Sequence, residues 1–370
     1  MAGKNWYEID NPDEIVSPSL MVYPDRIQKN IALMISMIGD VTRLRPHIKT
    51  HKTAEIIEMQ MQHGIQKFKC ATIAEAELLA QCGAKDILLA MQPVGANLIR
   101  FFKLIATYPN SQFSTIADNK YTIDLISKMA ASKNITVSLF LDLNTGMNRT
   151  GIEPNDIAVE LFTRIAENPN LNAYGLHAYD GHIRDTDIDL RKKACDSAFK
   201  SVTDLKCKIE ASGVEVKTLV AGGSPTFPIH AKRENVETSP GTTLLWDERY
   251  GTSFPDMPFL PSAVLLTRII SKPKEGIVCL DLGHKAIAPE MGFPRVKIFG
   301  LEDAEQIGQS EEHLVLHYTK SDLLQIGDVF YAIPMHICPT VAKYSKVLTV
   351  EGGQISGAWK IAARDYQMQI

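Results

Sequence analysis

Residues 67–91 read KFKCATIAEAELLAQCGAKDILLAM, and this stretch decides the fold class. KFKCAT suits a short strand, 73–81 carries apolar residues at helical spacing, Gly83 closes the helix, and DILLAM at 86–91 begins a second strand. Strand, crossover helix and strand form one unit of a parallel sheet. Working outward, the same alternation runs from Leu44 to about Thr243, with strand-like segments at 44–49, 67–72, 86–91, 112–117, 136–143, 173–180, 218–223 and 236–241. Helical patterns such as 53–62 and 121–132 lie between them, and Gly64 and Pro169 mark further turns. Eight strand–helix units in about 200 residues fit an α/β fold of the (β/α)8 barrel type, whose active site lies at the C-terminal ends of the strands.

After residue 243 the texture changes, and 263–271, 276–280, 312–318, 329–333 and 347–351 read as strands with few helix-length runs among them. The expected organisation is a barrel over 19–250 and a mostly β domain over 251–370, with the boundary in the Pro- and Gly-rich stretch 239–261. Residues 1–18 are too few for a domain and are expected to pack on the β domain.

Composition excludes several classes. The 370 residues exceed the roughly 250–300 at which one core stops growing. Lysine plus arginine (39) against aspartate plus glutamate (43) leaves a net charge of −4 with no long run of either sign, so nucleic acid is not an expected partner. The longest apolar run, 31–38, is far short of the ~20 residues of a membrane span, and the N-terminus lacks a signal-peptide pattern. No membrane association and a cytoplasmic location are expected. The six cysteines contain no CxxC pair and are read as reduced thiols.

The densest chemical signal is Arg45-Pro46-His47-Ile48-Lys49-Thr50-His51-Lys52, at the end of the first expected strand. Alternation along a strand would put Arg45, His47, Lys49 and His51 on one face. If that face is the barrel interior, it gathers cations where burial without a counter-ion is costly, and an anionic cofactor would resolve the conflict. A lysine crowded by cations has its neutral amine favoured, as Schiff-base chemistry requires. The alternative is a solvated basic loop.

Two further loops point the same way. The seventh strand runs into Gly222-Gly223-Ser224 and the eighth into Gly241-Thr242, where barrel enzymes often hold a phosphate on backbone amides and hydroxyls. Either alone is a common tight turn; together, opposite a basic strand, they suit a phosphate-bearing aldehyde such as pyridoxal phosphate. Arg149, in Asp142-Leu143-Asn144-Thr145-Gly146-Met147-Asn148-Arg149, reaches a ring oxygen or is a surface arginine. His177 and Tyr179 share one face of the sixth strand, as ring contacts or as satisfied core residues. In the β domain, His336 and Cys338 stand two residues apart on an extended segment. Imidazole and thiolate at that spacing suit a divalent metal, with the sulfur favouring zinc; the alternative is a buried cysteine beside an unrelated histidine.

These motifs resemble the D-threonine aldolase and D-serine dehydratase group, pyridoxal-phosphate enzymes of the alanine racemase-like fold. The likeness spans 17–364 and rests on RPHIKTHK at 45–52, DLNTGMNRTG at 142–151, GLHAYDGH at 175–182, GGSPT at 222–226, PGT at 240–242 and the final His-x-Cys. It implies that Lys49 carries the cofactor as a Schiff base, with Lys52 its nearest rival. It further implies Arg149 near the phenolic oxygen, Tyr179 near the pyridine nitrogen, and Gly222, Gly223, Ser224, Gly241 and Thr242 around the phosphate. His336 and Cys338 would bind zinc or manganese. The aldolases carry a base histidine several residues past the tyrosine, and here His182 is the displaced candidate. The implied activity is a lyase acting on D-β-hydroxy-α-amino acids as a homodimer, by aldol cleavage to glycine and an aldehyde or, alternatively, by dehydration to a keto acid and ammonia. A racemase is a more distant alternative, and a non-catalytic cofactor carrier would lack the β domain.

Overall fold

The computed structural model describes residues 4–370 and separates into two compact units. One comprises the chain up to Leu33, Thr50–Ile56 and Thr242–Arg364; the other comprises Met34–Lys49, Ile57–Gly241 and Asp365–Ile370. Strand β1 (Ser19–Val22) belongs to the first unit, although the sequence reading starts the barrel at residue 19.

The second unit is the barrel. β2 (Lys67–Cys70), β3 (Asp86–Leu89), β4 (Gln112–Ala117), β5 (Val137–Leu143), β6 (Leu171–Ala178), β7 (Thr218–Ala221) and β8 (Val236–Thr238) pair in parallel in chain order. Crossover helices start on side-chain caps: Thr72 accepts the amide of Glu75, and Asn119 that of Thr122. These bonds satisfy amides that a helix start leaves open.

The first expected strand, 44–49, is not regular. Leu44 bridges Thr238 and His47 bridges Lys69, and the chain then turns into a 3-10 helix over Ile48–Thr50. Pro46 has no amide hydrogen to give a ladder; its carbonyl accepts from the amide of Lys69 at 2.9 Å. Two bridges therefore close the ring where a full eighth strand was expected, and the barrel reading holds with this local departure.

The first unit is mostly β. β1 lies between β9 (Ala263–Lys274), to which it is antiparallel, and β15 (Lys346–Glu351), to which it is parallel. β16 (Gln354–Lys360) follows β15 at one side, while β10 (Ile277–Leu280), β13 (Leu314–His317) and β12 (Glu305–Gln309) extend the sheet beyond β9. β14 (Val329–Pro334) also pairs with β9 and carries β11 (Val296–Ile298).

The barrel interior is layered. At the N-terminal end, fully buried Arg45 donates from Nε to Glu237 at 2.6 Å and from both terminal nitrogens to Asp86 at 2.6 and 2.7 Å, while Lys67 also pairs with Glu237. Arg45 is thus not part of a cationic face shared with Lys49, because the alternation breaks at the 3-10 turn. Above this network Leu88, Ile116, Phe140 and Val220 form an apolar layer. Because Arg45→Met would leave the largely buried carboxylates of Asp86 and Glu237 without their shared guanidinium, it should destabilise the protein by about 3–5 kcal/mol. Urea unfolding measures this, and a loss below about 1 kcal/mol would contradict the assignment.

Candidate active site

The C-terminal ends of the barrel strands enclose a cavity of about 430 Å³ whose lining includes His47, Lys49, Lys69, Asp142, Arg149, His177 and Tyr179. Tyr179 is its centre. The amines of Lys49 and Lys69 each lie 5.5 Å from the centroid of its ring, and the Arg149 guanidinium carbon lies 5.1 Å away. Three cations around one aromatic ring is a favourable arrangement only in part, since each cation gains from the ring while repelling the others.

Lys69 is the residue that sequence reasoning missed. It is 3% exposed, and burial, reinforced by the charge of Lys49, pulls its amine down to about 7. A signal existed: in Lys67-Phe68-Lys69-Cys70 the two lysines share a face, and Phe68 and Cys70 are fully buried on the other. Lys52, expected as the nearest rival to Lys49, is not among the residues that line the cavity. His51 is not on a common face with Lys49 either; it is buried, its Nδ1 accepts the amide of Thr53, and desolvation lowers its pKa to about 3.

His177 and Asp142 face each other because they are register partners on β6 and β5. Burial, and next the charge of Lys69, hold His177 below its ordinary pKa, so the neutral ring donates Nδ1–H to Asp142 at 2.6 Å. Its Nε2, an acceptor, is buried without a partner among the described residues.

At the ends of β7 and β8 the glycines are structurally required. Gly222 has φ +81, and a Cβ there would meet Cδ2 of His230 at 2.6 Å; a Cβ on Gly223 would meet Cε2 of Tyr179 at 2.9 Å. Ser224 is buried and accepts the amide of Gly241 at 3.1 Å, which ties the two loops together. The hydroxyls of Thr238 and Ser239 are buried with no partner among the described residues. Backbone brought close by glycine, and orphaned hydroxyls beside it, fit a bound phosphate. The hydroxyl of Thr242, expected with them, lies 3.5 Å from Sγ of Cys338.

Behind the loop, Asp180 accepts from Thr226 at 2.8 Å and from Nε2–H of His230 at 2.9 Å, and Thr226 in turn accepts the amide of Gly223. Asp180, Cys195 and His230 are three buried ligand-type side chains close enough to surround one ion. Arg233 donates to Nδ1 of His230 at 2.5 Å, so both ring nitrogens are already engaged. The cluster thus works as a clamp on the glycine loop. His182 is exposed and does not line the cavity; its Nε2 stands 3.0 Å from where a Cβ of Gly146 would be.

In the β unit, His336 caps a short helix, Ile337–Val341, so Cys338 lies in a helical turn where an extended segment was expected. The two side chains still meet. Burial works against both charges, but the hydrogen bond between them raises His336 to about 9 and holds the Cys338 thiol below its ordinary value. Nδ1 of His336 also lies 2.5 Å from Glu290. An imidazole steadied by a carboxylate, beside a thiol that ionises readily, is a donor set that fits a zinc-type metal.

Comparison with known proteins identifies the family. Residues 22–248 match the alanine racemase N-terminal domain. The chain belongs to this family. A putative serine dehydratase domain matches 262–350, so the two halves of this alanine racemase-family chain carry separate signatures. The D-threonine aldolase of Arthrobacter sp. is 25% identical, with 95% of this chain and 93% of the relative covered. The 3-hydroxy-D-aspartate aldolase of Paracoccus denitrificans (strain Pd 1222) is 26% identical over 95% and 92%. A crystal structure of D-threonine aldolase from Filomicrobium marinum superposes with a TM-score of 0.88 at 26% identity, covering 98% of this chain and 99% of that one. The resemblance drawn from the sequence motifs is borne out, and so is the reading of the chain as an enzyme of the lyase kind. No helix among the described residues is long and apolar enough to cross a membrane.

Proposed function

We propose that the protein is a pyridoxal-phosphate- and divalent-metal-dependent lyase that cleaves D-β-hydroxy-α-amino acids to glycine and an aldehyde, as a D-threonine aldolase does. The observation that carries this reading is the cavity itself, where two amines and a guanidinium surround Tyr179 next to a glycine-built loop with orphaned hydroxyls. Such a site calls for an anionic ring compound with a phosphate.

Pyridoxal phosphate, when bound, would supply an electron sink for bonds at the substrate's α-carbon. Lys49 would hold its aldehyde carbon and, once an amino acid takes that carbon over, keep a free amine able to move a proton at the α-carbon. Arg149 would meet the phenolic oxygen and Tyr179 the ring, with His177 presenting its bare Nε2. Gly222, Gly223, Ser224, Gly241 and Thr242 would receive the phosphate. His336 and Cys338 would hold zinc or manganese, which lowers the pKa of a hydroxyl that it binds. His182, the motif's candidate for the base that takes the β-hydroxyl proton, stands outside the cavity lining, so that proton is assigned to no residue of the cavity.

Two outcomes share these parts. When a base takes the hydroxyl proton, the Cα–Cβ bond breaks, the α-carbon takes up a proton in place of the lost carbon, and the products are glycine and an aldehyde. When the Lys49 amine takes the α-proton, the hydroxyl leaves as water, and a second water hydrolyses the unsaturated amine that remains to a keto acid and ammonia. The match to a putative serine dehydratase domain supports this second reading. The cleavage and dehydration routes differ in where a base stands, to within about an ångström.

Lys49→Ala should abolish the visible absorbance of the cofactor-loaded protein, and an unchanged spectrum would assign the cofactor to another lysine, Lys69 first. In a product assay with D-threonine and D-serine, glycine and acetaldehyde from D-threonine should dominate over keto acid. Chelation should remove turnover while leaving the visible absorbance, and added zinc or manganese should restore it. Full activity after chelation, or racemised substrate as the main product, would contradict the proposal.

A further inference from the structure

The cavity holds one more amine than attachment of a cofactor needs. Lys69 stands at the end of β2, and its backbone bridges His47, two residues before Lys49. Its side chain lines the cavity, is 3% exposed, and makes no hydrogen bond or ion pair among the described residues beyond its approach to the Tyr179 ring. Asp142, the carboxylate of the lining, accepts from His177 through Oδ1, while its Oδ2 has no hydrogen-bond partner among the described residues and its charge, with that of Asp180, favours the ammonium form of Lys69. A buried ammonium without an anion costs several kcal/mol, a cost that natural sites usually meet with a paired charge. Lys67, two residues earlier on the same strand face, has such a partner in Glu237.

The described lining carries Lys49, Lys69 and Arg149 against the one carboxylate of Asp142, so the remaining positive charge calls for anions from outside the chain. The one that meets Lys69 is not the phosphate, since the glycine loops and orphaned hydroxyls at the ends of β7 and β8 form a separate receptor for that group. Two sources remain, the phenolic oxygen of the cofactor and a carboxylate of the incoming amino acid. Arg149, whose guanidinium lies across the same ring, is available for the phenolic oxygen. Lys69 and Lys49 line the same cavity and each stands 5.5 Å from the centroid of the Tyr179 ring, which sets Lys69 near the amine that would carry the cofactor.

We propose that Lys69 is a substrate-positioning residue whose ammonium receives the α-carboxylate of the amino acid. This rests on the proposed cofactor dependence. It also gives a reason for the residue type: a lining with three cations and one carboxylate favours ligands that bring a carboxylate, because a ligand without one leaves positive charge uncompensated.

The test compares glycine with ethanolamine, an amine of similar size with a hydroxymethyl group in place of the carboxylate, as ligands of the cofactor-loaded enzyme. Binding is followed by the change in visible absorbance, so no turnover is needed. The wild-type protein should prefer glycine, and Lys69→Met should reduce that preference by roughly 10–100-fold, the range for a lost charge-assisted hydrogen bond. Lys69→Arg should keep most of it. Cofactor affinity, titrated separately, should change less than about 3-fold in Lys69→Met, and KM for D-threonine should rise more than kcat falls. A loaded Lys69→Met protein that still prefers glycine as the wild type does overturns the role of Lys69. So does a large loss of cofactor affinity with the preference intact, which would assign Lys69 to the phenolic oxygen. A wild-type protein that takes up no cofactor overturns the functional reading beneath it.

Discussion

Burying positive charge in a protein interior costs several kcal/mol per ion unless an anion comes with it, and the two ends of this barrel treat that constraint differently. At the N-terminal end of the strands Arg45 is fully buried and satisfied, with Asp86 and Glu237 supplied by β3 and β8. At the C-terminal end Lys49, Lys69 and Arg149 face one tyrosine, with Asp142 as the one carboxylate of the described lining. An apolar layer separates the two. The first arrangement closes the ring where a regular strand is missing. The second carries more cations than carboxylates, an excess that an anionic ligand would neutralise, and the functional proposal follows from it.

The glycine loops serve the same site from the other side. Gly222 and Gly223 have no room for a Cβ because His230 and Tyr179 occupy it, so the backbone approaches the cavity as closely as the side chains allow. Asp180 fixes this approach through Thr226 and His230. A clamp on the loop and a platform for the cations are thus two ends of one short segment, since Tyr179 and Asp180 are consecutive.

Much of the fold was legible in the sequence because alternating strands and crossover helices leave a periodic signal, as residues 67–91 illustrate. The irregular closure was not. Alternation suggested a strand through His51, but Pro46 cannot donate to a ladder and the chain turns at Ile48, so Arg45 and Lys49 part company. Lys69 was overlooked because a lysine in a four-residue strand reads as solvated, and only the closed barrel reveals that its face is interior. His182 shows the converse: a motif position named it, while its exposure follows from a loop whose course no periodicity encodes.

The central claim is that the cationic cavity of the barrel receives an aldehyde cofactor on Lys49. Borohydride reduction of the protein after incubation with pyridoxal phosphate, followed by peptide mapping, tests it most directly. The account predicts a pyridoxyl label on the peptide containing Lys49. A label on Lys69 in its place, or no labelled peptide at all, would contradict it.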